Sequence, residues 1–171
     1  AGNWSPSALG ANPTTDRAVF DDGDVGSTNV MDTSWEIGGL EAKNNNGSKH
    51  TLDLGGNTLT IGNAGSILVS RSTAGAAILA ITNGTLAVTN DITVRYGGEL
   101  YLNGATLSGP IRDIHMPTLY HGNATVDLRG TTIAGGTLEA RDLYLGRRNG
   151  SGYLYMDNTT SIDTLKVKRL M

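Results

Sequence analysis

Three kinds of side chain in this 171-residue sequence could do chemistry: clustered carboxylates, scattered histidines, and tyrosines set between apolar neighbours. Asp21, Asp22 and Asp24, grouped around Gly23, are the densest set of hard oxygen ligands. A cation such as Ca²⁺ takes several such oxygens around a tight turn. The EF-hand order fails, because the glycine falls at the wrong step and position twelve from Asp21 is Asp32, not Glu. No Gly-Gly-x-Gly-x-Asp nonapeptide repeats either. The run therefore reads as a solvated acidic turn, and no metal is expected. His50, His115 and His121 are dispersed; the last two lie six apart without an obvious third ligand.

Asp127, Arg129, Arg141 and Asp142 set acids beside bases, as proton-transfer chemistry needs. Outward Asp and Arg also describe any solvated strand face. No Gly-x-Ser-x-Gly, His-Glu-x-x-His or phosphate-binding glycine loop accompanies them. The absence of Cys removes thiolate nucleophiles and disulfides together. The expectation is a protein that is not an enzyme and carries no cofactor. The tyrosines offer more. In Leu100-Tyr101-Leu102, Leu143-Tyr144-Leu145 and Leu154-Tyr155-Met156 the apolar flanks turn inward and Tyr outward. Tyr101 and Tyr144, 43 residues apart, are expected to share a face that meets a glycan or another surface protein. Thr58-x-Thr60 suggests an ice-binding array, but no Thr pair recurs at the spacing described next.

Those side chains need strands to position them. Short apolar–variable–apolar triplets recur from Leu52-Asp53-Leu54 to Leu165-Lys166-Val167, mostly bounded by Gly, Asn or Asp. Leu59, Leu79 and Leu100 are 20 and 21 residues apart, and Leu86 and Leu107 are 21 apart. A beat near 20 with three short strands per period is that of a β-solenoid coil. No stretch sustains a 3.6-residue period, so the chain is expected to be all-β. One Phe and two Trp would make a poor sandwich core, whereas stacked Leu, Ile, Val and Ala fill a narrow solenoid. The expected architecture is a single-stranded right-handed parallel β-helix of about 20 residues per coil over 46–171. Residues 1–45 lack the beat and are expected to form an irregular N-terminal cap, and 108–122, with two Pro, an inserted loop.

Asn3-Trp4-Ser5, Pro13, Asp16-Arg17-Ala18-Val19-Phe20, Trp35-Glu36-Ile37-Gly38-Gly39-Leu40 and the pair Leu52-Asp53-Leu54 and Leu59-Thr60-Ile61-Gly62 resemble the opening of autotransporter-associated β-strand repeats. The resemblance covers roughly residues 1–100 and implies a right-handed β-helix on the exterior of a bacterial cell. The translocator barrel of a true autotransporter is not in this sequence.

Charge suggests what such a solenoid does. A net charge of −3 argues against nucleic-acid binding, and no apolar run approaches the ~20 residues of a membrane span. A start at Ala1 fits either a cleaved secretory signal or a boundary within a longer chain. Residues 1–45 hold seven acids against Arg17 and Lys43, while residues 140–171 hold six bases against three acids. Terminal coils must be capped or paired. An acidic start (Asp21, Asp22, Asp24) and a basic strand end (Lys166, Lys168, Arg169) are therefore expected to join copies head to tail.

Overall fold

The computed structural model describes residues 15–20, 26–43, 47–62, 65–69, 77–95, 97–116, 122–146 and 150–171. Strands come in threes, beginning with β1 (Arg17–Phe20), β2 (Thr28–Val30) and β3 (Trp35–Ile37). Next are β4 (Gly39–Ala42), β5 (Lys49–Asp53), β6 (Thr58–Ile61), β7 (Ile67–Val69), β8 (Ile78–Thr82) and β9 (Gly84–Val88). β10 (Ile92–Val94), β11 (Glu99–Tyr101), β12 (Ala105–Ser108), β13 (Ile111–Met116), β14 (Gly122–Asp127) and β15 (Thr132–Ile133) follow. The last three are β16 (Thr137–Leu145), β17 (Gly150–Tyr155) and β18 (Thr164–Leu170).

Up to β16 every third strand returns to the same sheet; β18 follows β16 after a single strand, because the last coil's third side is only a bridge at Ser161. The first sheet runs β1-β4-β7-β10-β13-β16-β18, the second β17-β14-β11-β8-β5-β2, the third β15-β12-β9-β6-β3. All pairings are parallel. A parallel neighbour needs a long return path, and here the other two strands of each coil supply it. The molecule is a three-faced parallel β-solenoid. No helix among the described residues is long and apolar enough to cross a membrane.

The core is a set of apolar columns, one residue per coil. Leu40, Ile67, Ile92, Ile114 and Leu143 stack behind the first sheet. Leu79, Leu100, Val126 and Leu154 stack behind the second, and Trp35, Leu59, Leu86, Leu107 and Ile133 behind the third. Each fully buried Leu or Ile contributes about 1.5–3 kcal/mol.

Three expectations about organisation change. The coil is longer and more variable than a 20-residue beat: the register step is 21 from Leu79 to Leu100 but 29 from Lys49 to Ile78. Only strand positions are fixed by stacking; corners between them take different lengths. The described part of the expected irregular cap over 1–45 is regular instead, since β1 to β4 pair in register with one another and with later coils. Met31 and Trp35 fill the interior where later coils use Leu, and Phe20 where they use Ala42, Val69 and Val94, which hides the pattern. Finally, the described part of the expected loop at 108–122 holds a strand, since β13 pairs with both β10 and β16; residues 117–121 lie outside the described residues. Gly109 and Pro110 form a tight corner instead. Gly109 has φ +100°, and a Cβ there would lie 2.6 Å from the Val88 carbonyl oxygen, so only glycine fits.

Candidate functional site

The outer surface of the first sheet carries an acid–base staircase. Asp113 faces Asp142, which faces Arg169, on successive coils. Arg112 donates through Nε and Nη2 to Asp91 one coil earlier, at 2.8 and 2.5 Å. Arg141 does the same to Asp113, at 3.1 and 2.6 Å. Arg169 forks onto Asp142, with the Nε bond at 2.6 Å. The carboxylates of Asp113 and Asp142 are buried beneath half-exposed arginines. The Arg169 guanidinium holds the Asp142 carboxyl below its ordinary range. Such bidentate forks fix coil register as well as adding energy.

His115 lies in this cluster, stacked on Tyr144 with ring centroids 4.5 Å apart. Burial pushes its pKa down, against the pull of Asp91 and Asp113. Asp91, Asp113 and His115 bring ligand atoms within 4.8 Å of one another. Both carboxylates already hold arginine forks, and a divalent cation would meet two guanidinium charges there. The group is an ion-pair cluster, and it was not legible in sequence because Asp91 reaches it from a different coil. His50 is different again: it is fully buried in the leucine column of the second sheet, 5.5 Å from the Phe20 ring. Its Nε2 has no hydrogen-bond partner. His121 and the trio Asp21, Asp22 and Asp24 lie outside the described residues.

The tyrosines divide between faces. Tyr144 is on the first sheet, Tyr101 and Tyr155 on the second, so Tyr101 and Tyr144 do not share a surface. The misplacement follows from the assumed period, since 43 residues do not make whole coils here. On the second sheet one outward column reads Thr51, Ala80, Tyr101, Asp127, Tyr155. Tyr101 Oη donates to Glu99 Oε2, and with burial this pushes the phenol up to about 12. Arg129 forks onto Asp127 at 2.9 and 2.5 Å, holding that carboxyl low. Its guanidinium also lies 5.3 Å from the Tyr155 ring centroid, and Tyr153 stacks on Tyr155 at 6.1 Å. Asp127 and Arg129 thus sit on one face and Arg141 and Asp142 on another; the four do not converge.

The third sheet holds something the 20-residue beat concealed. Thr58, Thr85, Thr106 and Thr132 form one outward column, continued by a bridge to Ser161. Beside it, Thr60, Ala87 and Ser108 form a second. At ~4.8 Å between strands, hydroxyl and methyl groups repeat, with Glu36 opposite Thr60 at the start of the second column.

The last coil differs from the rest. In β18 every residue but Val167 is exposed. Leu165 and Leu170 are 38% and 68% exposed, and Met171 49%. β18 pairs only with β16 and ends the first sheet. The three bases expected there are not equivalent. Lys166 pairs with Glu139 at 3.0 Å and Arg169 with Asp142. Lys168 makes no ion pair with a described residue. By register Lys168 continues the column of Arg112 and Arg141, one position before Asp113, Asp142 and Arg169. Followed back through the sheet, that column begins at Asp16, opposite Gly38.

Comparison with protein-family models, with curated proteins and with solved structures returned no match to this chain.

Proposed function

We propose that the protein is a non-catalytic structural solenoid of the bacterial cell exterior that joins copies head to tail, the first strand of one against the last strand of another. The observation that supports this reading is at β18, the last described strand of its sheet, where Leu165, Leu170 and Met171 are exposed. Unpaired strand edges next to apolar side chains are templates for another chain. The occupant is argued from charge. In the register used throughout the first sheet, Lys168 of one copy meets Asp16 of the next, and Leu170 meets Ala18. Arg169 then faces Arg17, but these already hold Asp142 and Glu41. A heterologous contact of this kind does not close on itself and propagates a filament. The resemblance of residues 3–62 to autotransporter-associated repeats supports an exterior location.

Electron microscopy and sedimentation over a concentration series test it. Filaments or a ladder of oligomers should form as concentration rises, shorten in high salt and disappear in Leu170→Asp. Monomers at every concentration, or oligomers untouched by Leu170→Asp, would overturn the reading.

A further inference from the structure

The outward column Thr51–Ala80–Tyr101 of the second sheet has a step in it. Ala80 is the small member between two larger neighbours, and a groove of about 380 Å³ opens above it. Besides Ala80 it is lined by Lys49, Thr51, Tyr101, Asn103, Asp127 and Arg129. Lys49 Nζ lies 5.3 Å from the Tyr101 centroid. The two cations differ in how far they are committed. Arg129 spends its Nε and Nη2 on Asp127, whereas Lys49 has no carboxylate within ion-pair distance among the described residues.

We infer that this groove binds a uronate-bearing oligosaccharide, with a sugar ring on the Tyr101 side and its carboxylate at Lys49. An aromatic wall presents flat apolar area to the C–H face of a pyranose. Hydroxyl and amide groups beside it answer sugar hydroxyls, which is the lining of a site with few, placed polar groups. The unmatched ammonium supplies the charge that a carboxylate needs, and Arg129 retains free N–H groups after its fork onto Asp127. Asp127, neutralised by Arg129, adds no repulsion of its own. The second sheet runs along the solenoid, so a bound chain continues past Arg129 towards Tyr155 and Tyr153, both exposed. The site is independent of the assembling end, since none of its residues belongs to β1 or β18.

The test is NMR or calorimetric titration of the whole chain with trigalacturonate, and with cellotriose as the neutral control. Trigalacturonate should perturb the Ala80 and Tyr101 amides and bind at least tenfold tighter than cellotriose. Ala80→Leu fills the groove from outside the core, and Lys49→Met removes the charge while keeping the stem. Each should weaken trigalacturonate roughly tenfold, the scale of one charge-assisted contact, with thermal unfolding and oligomer size unchanged. No perturbation up to about 1 mM, equal affinity for cellotriose, or wild-type binding by Ala80→Leu would each overturn the inference. Filament loss in Leu170→Asp with trigalacturonate binding intact would show that the two surfaces act separately.

Discussion

Leu138 and Leu165 are partners in one column of the first sheet, one coil apart, and Leu143 and Leu170 are partners in another. Leu138 and Leu143 are 1% and 3% exposed, while Leu165 and Leu170 are 38% and 68%. Residue type and sheet are the same; what differs is whether a further coil is stacked on the strand. Burial in a solenoid is thus contributed by the next coil rather than by the strand's own pattern, as expected where each repeat contacts only its neighbours. The same holds for charge. Arg141 is held by the Asp113 of the previous coil, whereas Lys168, in the corresponding place, has its acid taken by Arg169.

The contrast breaks most visibly by truncation. Leu138→Ala should cost about 3 kcal/mol in urea unfolding, in the usual range for a buried Leu. Leu165→Ala should cost less than ~1 kcal/mol in dilute monomer, and equal losses would erase the distinction. Next in size is the staircase. Arg141→Met keeps the stem but leaves buried Asp113 without its fork, and should cost about 2 kcal/mol. Lys168→Met should cost nothing measurable in monomer, yet weaken association.

Acidification should follow with a defined sign. Asp127 and Asp142 are held low by their arginines, and His115 low by burial. For each group the unfolded chain binds protons more readily than the folded one, so stability rises with pH across its window. The contributions are complete above the ordinary values of ~6.5 for His and ~3.9 for Asp, and are lost as pH falls through the lower folded values. Urea midpoints should therefore hold from pH 8 to about 7 and decline below. The steeper acid limb should be shallower in Arg129→Met. A midpoint that climbs between pH 6 and 5 would contradict this. A change of the opposite sign is expected at the other end of the core. His50→Leu replaces a buried ring with an unpartnered Nε2 by the residue its column otherwise prefers, and should gain about 1 kcal/mol.

How much of this was legible beforehand follows from which signals are local. The inward triplets, such as Leu100-Tyr101-Leu102, identify strands and their buried face because alternation is a property of consecutive residues. Coil length is not local. The 21-residue steps at Leu79–Leu100 and Leu86–Leu107 were readable. Steps stretched by corners, such as Lys49 to Ile78, were not. Everything that depends on register shared that fate. The separation of Tyr101 from Tyr144, the threonine column from Thr58 to Thr132, and the capture of Asp91 by Arg112 appear only once coils are aligned. Aromatic residues hid the first coils, since Trp35 stands there where Leu59 and Leu86 follow, and Phe20 where Ala42, Val69 and Val94 follow.

The central claim is that the open coil is completed by a second copy, and hydrogen exchange on β18 tests it most directly. The amides of Thr164–Leu170 that do not bond to β16 should exchange freely in dilute protein. They should become protected as concentration rises, in step with the amides at the outer edge of β1. Protection of β18 that is the same at every concentration, or that rises while β1 stays unchanged, would contradict head-to-tail joining.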